Sequence, residues 1–188
     1  MEEEKLVQQS QQGDEEAFGA LVKKYKRKVF HLAYSLVRNQ ETADDLAQEV
    51  FIKVFFALPG FKFQSRFSTW LYRIAVNQIK DHLRKEKKFL QVPFEESTAH
   101  SLHDTQIQGR EDKRALEKQS ELLHKAIQLL SPKYQIILSL RDIQGLSYEE
   151  ISRILNISQG TVDSRLHRAR KLLRKKIKPF LNNKGERP

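Results

Sequence analysis

Apolar residues recur along this chain at intervals of three and four rather than in alternation, and each block of that recurrence outlines a helix. Phe18, Leu21, Val22 and Tyr25 begin a stripe, opened by Gly13-Asp14, that runs to about Val37; Asn39 to Thr42 ends this helix and starts another. In the second helix Ala43, Leu46, Ala47, Val50, Phe51, Val54, Ala57 and Leu58 cover one broad face, and Pro59-Gly60 terminates it. A loop from Phe61 to Phe67 leads to a third helix, capped by Ser68 or Thr69 and running to about Lys88. Its buried side gathers Leu71, Tyr72, Ala75, Val76, Ile79 and Leu83. From Phe89 to Lys113 the pattern lapses into a polar stretch with Pro93 and Gly109. It resumes at Leu116, Leu123, Ile127 and Leu130, after which Ser131-Pro132 supplies the N-cap and first position of a helix that Gly145 closes.

The last block is the most informative. Ser147 and Glu150 form a capping box before Ile151, Ile154 and Leu155, Asn156 to Ser158 make a short turn, and Ser158 caps a second helix. Val162, Leu166, Ala169 and Leu173 form the buried stripe of that helix. The outward face carries Gly160, Asp163, Ser164, His167, Arg168 and Lys171, small and polar at the N-terminal end and basic further on. This is the outline of a helix-turn-helix whose second helix reads base edges and holds phosphates. The pattern predicts an all-α protein of two small helical domains joined by a flexible linker: residues 1–88, a linker at 89–113, residues 114–180 and a tail at 181–188.

Charge sharpens this picture. A formal net charge of +10 on 188 residues points to an anionic partner, nucleic acid first and a membrane surface second. No apolar run has the length of a spanning helix, and Met1 to Lys5 is acidic rather than the basic start of a signal peptide, so the chain reads as cytoplasmic and not membrane-inserted. The absence of cysteine excludes disulfides and thiolate metal sites. No cofactor is expected. His100, His103 and Asp104 resemble a metal-ligand cluster only superficially, since they fall in the linker.

Two surfaces exceed what a simple duplex binder needs. On the second helix a narrow stripe joins Asp45, Gln48 and Glu49 to Ile52 and Phe56. Carboxylates are repelled by phosphate, so this stripe reads either as a docking surface for a protein or as a patch that packs under Leu6 and Val7. The loop Phe61-Lys-Phe-Gln-Ser-Arg-Phe67 interleaves aromatic and basic residues, as a surface that stacks exposed bases does, although at least one of its aromatics is expected to anchor the loop in the core. Trp70 falls on the polar side of the third helix yet is large enough to cap the core. The linker, locally acidic through Glu95, Glu96, Asp104, Glu111 and Asp112, reads either as a solvated tether or as a strand that follows a cationic channel.

Four motifs in order, Gly13-Asp-Glu-Glu-Ala-Phe18, Ala43-Asp-Asp-Leu-Ala-Gln-Glu-Val-Phe51, Phe67-Ser-Thr-Trp-Leu-Tyr-Arg-Ile-Ala-Val-Asn77 with Asp81 and Arg84, and Gly160-Thr-Val-Asp-Ser-Arg-Leu-His-Arg-Ala-Arg170, resemble the sigma-70 factors of the extracytoplasmic function (ECF) group. These are the short kind that keep only regions 2 and 4. The resemblance implies a non-catalytic, promoter-specifying subunit of RNA polymerase. It assigns Asp45, Gln48, Glu49, Ile52 and Lys53 to the β′ clamp, and Phe61, Phe63, Arg66, Arg73, Asn77, Lys80, Asp81 and Arg84 to melting and reading the −10 element. It assigns Gly160, Thr161, Asp163, Ser164, Arg165, His167, Arg168 and Lys171 to the −35 element, and the helices around Leu123 to Leu140 to the β flap. The linker would run through the polymerase channel near the RNA exit, and an anti-sigma factor is a further implied partner. Asp163 departs from the family, many of whose members place Arg or Lys there. An acid cannot hold a phosphate, so it either accepts from a cytosine amino group or orients a neighbouring Arg.

A helix-turn-helix regulator that is not a polymerase subunit is the alternative, and it leaves the acidic stripe and the aromatic loop without a task. A nucleic-acid enzyme finds no carboxylate cluster with metal spacing, no phosphate-binding glycine loop and no nucleophile with a base.

Overall fold

The structure is a computed structural model that describes residues 2–89, 122–123 and 125–182, with the side chains of 87–89 and 179–182 outside that description. The linker expectation, Leu116, the His100/His103/Asp104 cluster and the end of the tail therefore fall outside the described residues. Among the described residues the secondary structure is helical, without a strand.

The N-terminal bundle comprises α1 (Glu2–Gln11), α2 (Glu15–Val37), α3 (Gln40–Ala57), a 3₁₀ turn at Leu58–Gly60 and α4 (Phe67–Phe89). Local chemistry sets most of these boundaries. Gly13, at φ 93°, turns the chain in a conformation that costs a glycine little, and the Asp14 carboxylate caps α2 by accepting from the Ala17 N–H at 3.0 Å. Asn39 does the same for α3 through the Thr42 N–H at 2.8 Å. The third long helix begins at Phe67, ahead of the expected Ser68 or Thr69 cap; Thr69 is instead buried, and the Trp70 N–H reaches the Arg66 carbonyl at 3.2 Å.

The helix α1 was not legible in the sequence. It is held by Val7, which is fully buried, and by polar side chains that cross-link it to the bundle. The Glu3 carboxylate accepts from Lys24 Nζ at 2.6 Å and from the Tyr25 hydroxyl at 2.5 Å. Gln11 Nε2 donates to the carbonyls of Leu58 and Phe61 at 2.9 and 2.8 Å.

The C-terminal unit has helical backbone at 122–123 and 125–128, then α5 (Pro132–Leu138), a single π-helical turn at Ser139–Ile143, α6 (Tyr148–Leu155) and α7 (Gln159–Asn182). Pro132 occupies the first turn of α5, as its missing N–H allows. Gly145 at φ 70° leaves the π turn. Ser147 and Glu150 form the expected capping box in both directions, Asn156 in the left-handed region ends α6, and Ser158 Oγ accepts from the Thr161 N–H at 3.1 Å to start α7. The two units share one continuous apolar core: α4 packs on α6, and α2 on the π turn.

Candidate polymerase and nucleic-acid interfaces

The α3 stripe is exposed. Asp45, Gln48, Glu49, Ile52 and Lys53 all face solvent, and Ile52 and Phe56 are 57% and 77% exposed. The packing alternative fails here, because Leu6 and Val7 join the core without covering either residue. Gln78 of α4 organises the stripe, donating to the Glu49 carboxylate and accepting from Lys53 Nζ. An open groove of about 510 Å³ runs on each side of this ridge. One lies between α3 and α4 and includes Ile52, Lys53, Phe56, Asn77 and Asp81; the other lies between α2 and α3 and includes Phe18, Val22, Lys26, Phe51 and Phe55. Phe55, about half exposed and edge-on to Phe18 at 5.1 Å, extends the apolar ridge. The sequence signal for it was present, since Phe55 lies one helical turn beyond both Phe51 and Ile52.

The aromatic loop divides by burial. Phe61 is only 7% exposed, packed 4.9 Å from Trp70 and 6.2 Å from Phe67, so its assignment to a DNA contact is corrected: it anchors the loop, as Phe67 does. Trp70 is half-buried against the same core. Phe63 behaves differently. It is 40% exposed and sits at φ 55°, a left-handed conformation that costs an aromatic residue roughly 1–3 kcal/mol and persists only where surrounding contacts impose it. Gln11, tying both ends of the preceding turn, is one such contact. Phe63, Ser65, Arg66 and Phe67 of the loop face Glu3, Glu4 and Val7 of α1 across a cavity of about 250 Å³. Burial pushes the Glu3 carboxyl up, but the hydrogen bonds from Lys24 and Tyr25 and the charges of Lys24 and Lys28 outweigh it and hold the group below its ordinary value. The same contact, after burial, pushes the Tyr25 hydroxyl up.

On α4, Arg73, Asn77, Asp81 and Arg84 are exposed and Lys80 is half-buried, with Arg84 and Asp81 3.5 Å apart. Burial, then the charges of Arg165 and Arg84, pull the Lys80 ammonium below its ordinary value, and Asp81 opposes them. Arg73 Nη2 donates to the Arg153 carbonyl at 3.0 Å and Arg66 lies 3.7 Å from Glu150, so two of the predicted −10 residues touch α6.

On α7, Gly160, Asp163, Ser164, His167, Arg168 and Lys171 are exposed while Thr161 and Arg165 are half-buried. Val162, Leu166 and Ala169 fill the core beneath them. A 2.6 Å ion pair between Arg170 and Asp142 fastens the helix to the π turn, and this hydrogen bond raises the Arg170 guanidinium further above its already high value. Among the described residues no group of carboxylates and histidines is arranged to hold a metal ion, and no helix is long and apolar enough to cross a membrane.

Comparison with known proteins decides the family. The model of sigma-70 region 2 matches residues 21–89 and that of sigma-70 region 4 matches residues 120–173. The RNA polymerase sigma-H factor of Pseudomonas aeruginosa is 37% identical over 189 residues, covering 96% of each chain. The chain belongs to the ECF group of sigma-70 factors. The ECF RNA polymerase sigma factor SigW of Bacillus subtilis is likewise 37% identical, over 93% of this sigma factor and 96% of SigW. Among solved structures, the sigma factor RpoE of Bartonella quintana, in complex with the anti-sigma factor NepR, has a TM-score of 0.66 at 26% identity, over 86% of this chain and 96% of that one. As an ECF factor, the chain directs transcription initiation by RNA polymerase at promoters, and a helix-turn-helix regulator standing apart from polymerase is not favoured.

Proposed function

We propose that this sigma factor divides its work among three surfaces. The α3 ridge of Asp45, Gln48, Glu49, Ile52 and Lys53, extended by Phe55 and Phe56, docks on the β′ clamp of core polymerase. Phe63, Arg66, Arg73, Asn77, Lys80, Asp81 and Arg84 take the melted −10 strand. The N-terminal part of α7 enters the −35 major groove, where Ser164, His167 and Arg168 meet base edges and Lys171 meets phosphate. The exposed apolar Leu123 and Leu129 support a contact of the second unit with the β flap. The catalytic chemistry of transcription belongs to polymerase, and this chain acts in the cytoplasm where polymerase is. An anti-sigma factor is its regulatory partner in this reading, by analogy with RpoE and NepR.

The observation that carries the division is the sorting of exposed apolar groups by charge. Ile52 and Phe56 stand among carboxylates, suited to a protein, and Phe63 stands beside Arg66, suited to a base and its phosphate. The experiment is open-complex formation with Phe63→Ala. A defect on duplex promoters that a pre-melted bubble relieves supports base capture, because the unstacking cost has then been met in the template. An equal defect on both templates refutes it.

A further inference from the structure

We propose that α1 braces the aromatic loop, with Gln11 and Glu3 as positioning residues that hold its two ends and so keep Phe63 in the conformation that receives an unpaired base. The role of this brace rests on the reading of Phe63 as a −10 contact.

Glu3, Val7 and Gln11 recur at intervals of four and therefore share one face of α1. Each meets a different part of the bundle. Val7, fully buried, seats the middle of the helix in the core. At the C-terminal end the Gln11 amide donates to the carbonyls of Leu58 and Phe61 at 2.9 and 2.8 Å, which are 47 and 50 positions away and bracket the 3₁₀ turn that delivers the loop. Leu58 and Phe61 are both buried, and a buried carbonyl without a donor is costly, so the amide favours this one placement of Phe61. At the N-terminal end Glu3 accepts from the Tyr25 hydroxyl at 2.5 Å, and the Tyr25 ring packs 5.6 Å from Phe67, where the loop ends. The start of the loop is thus held by α1 directly, and its end through one intervening ring.

Phe63 stands between these fixed ends. Its left-handed φ of 55° is a conformation that an aromatic residue leaves when its surroundings allow. The Phe63 ring lies 5.0 Å from that of Phe61, which in turn lies 4.9 Å from Trp70, so the placement of Phe61 is passed on to Phe63 by a ring contact as well as along the chain. Glu3, Glu4 and Val7 also form one wall of the cavity whose other wall is Phe63, Ser65, Arg66 and Phe67, so the seat of α1 sets the width of that cavity. A loop held in this way is ordered before the strand arrives. The cost of ordering it is then met in folding rather than subtracted from binding.

Gln11→Met keeps the length and apolar stem of the side chain and removes both donors, so α1 stays packed while the brace is lost. In holoenzyme reconstituted with core polymerase, on duplex promoters selected with the wild-type chain, this variant should slow open-complex formation roughly tenfold, the combined effect of two hydrogen bonds of ordinary strength on the fraction of loops that are competent. A pre-melted bubble should relieve the defect, whereas a general weakening of the fold lowers both templates alike. A wild-type rate on duplex, or an equal loss on the bubble, overturns the proposal. A double-mutant cycle with Phe63→Ala separates positioning from any other role. If Gln11 acts through Phe63, Gln11→Met should change the rate less than about twofold once the ring is gone. Full additivity overturns the brace and leaves Phe63 standing as a −10 contact, while a Phe63→Ala chain with no defect of its own overturns the −10 reading and the brace's role with it. Trp70 is the chain's single tryptophan, so its fluorescence follows the loop without DNA or polymerase. Gln11→Met should make Trp70 more accessible to acrylamide quenching, and unchanged quenching contradicts the hold of Gln11 on the loop.

Discussion

Phe56 gives the sharpest separation of binding from folding. It is 77% exposed, so roughly 150 Å² of aromatic surface is available for a partner to cover. At about 25 cal/mol per Å² this area sets a ceiling near 4 kcal/mol. Ordering the ring and leaving part of it wet take back about 0.5–1.5 kcal/mol. Phe56→Ala should therefore weaken binding to core polymerase by roughly 2–3 kcal/mol, or about 30- to 150-fold in Kd. The free chain should hardly respond, because the ring makes only an edge contact with Phe55 at 5.6 Å and surface truncations of this kind stay within about 0.5 kcal/mol. Fluorescence anisotropy of labelled sigma factor titrated with core polymerase reads the first effect and thermal unfolding reads the second. A folded Phe56→Ala chain with unchanged affinity refutes α3 as the docking ridge. A large loss of stability refutes the claim that Phe56 is unpartnered in the free protein.

Further outcomes follow from the same contacts. Ser147→Ala removes the capping box and should cost about 1 kcal/mol, seen as a lower midpoint in thermal unfolding of the full chain. Because the folded Glu3 carboxyl titrates below its ordinary value of 4.5, its stabilisation is complete above that value and is lost as pH falls through the lower, folded one; the Tm difference between wild type and Glu3→Gln should shrink toward zero on acidification. Arg168→Ala should cost about 1–3 kcal/mol and relax preference at particular −35 bases, whereas alanine at Lys175, an exposed α7 residue one turn beyond Lys171, should weaken all sequences alike and reduce the salt slope by about one counterion, read on a panel of −35 variants at two salt concentrations. Asp163→Arg should change the preferred −35 base if the exposed acid takes part in readout.

The elements most legible in the sequence are those fixed by local chemistry. Asp14, Asn39, Ser147 and Ser158 cap helices where short polar side chains meet apolar periodicity, and the stripe of Val162, Leu166 and Ala169 is buried as its spacing requires. What depends on distant partners was not legible. The helix α1 has too few apolar positions to announce itself and is held by Glu3 and Gln11 reaching across to α2 and the loop. Phe61, Phe63 and Phe67 are chemically alike, and only tertiary packing sends two inward and holds the third out at a left-handed φ. Ser139 reads as an ordinary polar position in the sequence because its buried hydroxyl meets that of Ser35, 104 positions away and 2.8 Å distant. Gly160, Asp163, Ser164, His167, Arg168 and Lys171 are exposed as their spacing on one amphipathic helix requires. The −10 face combined a loop with a helix, and there Phe61 was misassigned.

The central claim, that this chain specifies promoters as part of polymerase, is tested most directly by selecting open complexes from a random-sequence DNA library with core polymerase, with and without the chain. The account predicts enrichment only when both are present, with two separated sequence blocks and permanganate-reactive thymines confined to the downstream one. Enrichment of the same sequences as closed duplex by the chain alone, with no melting and no dependence on polymerase, would contradict it.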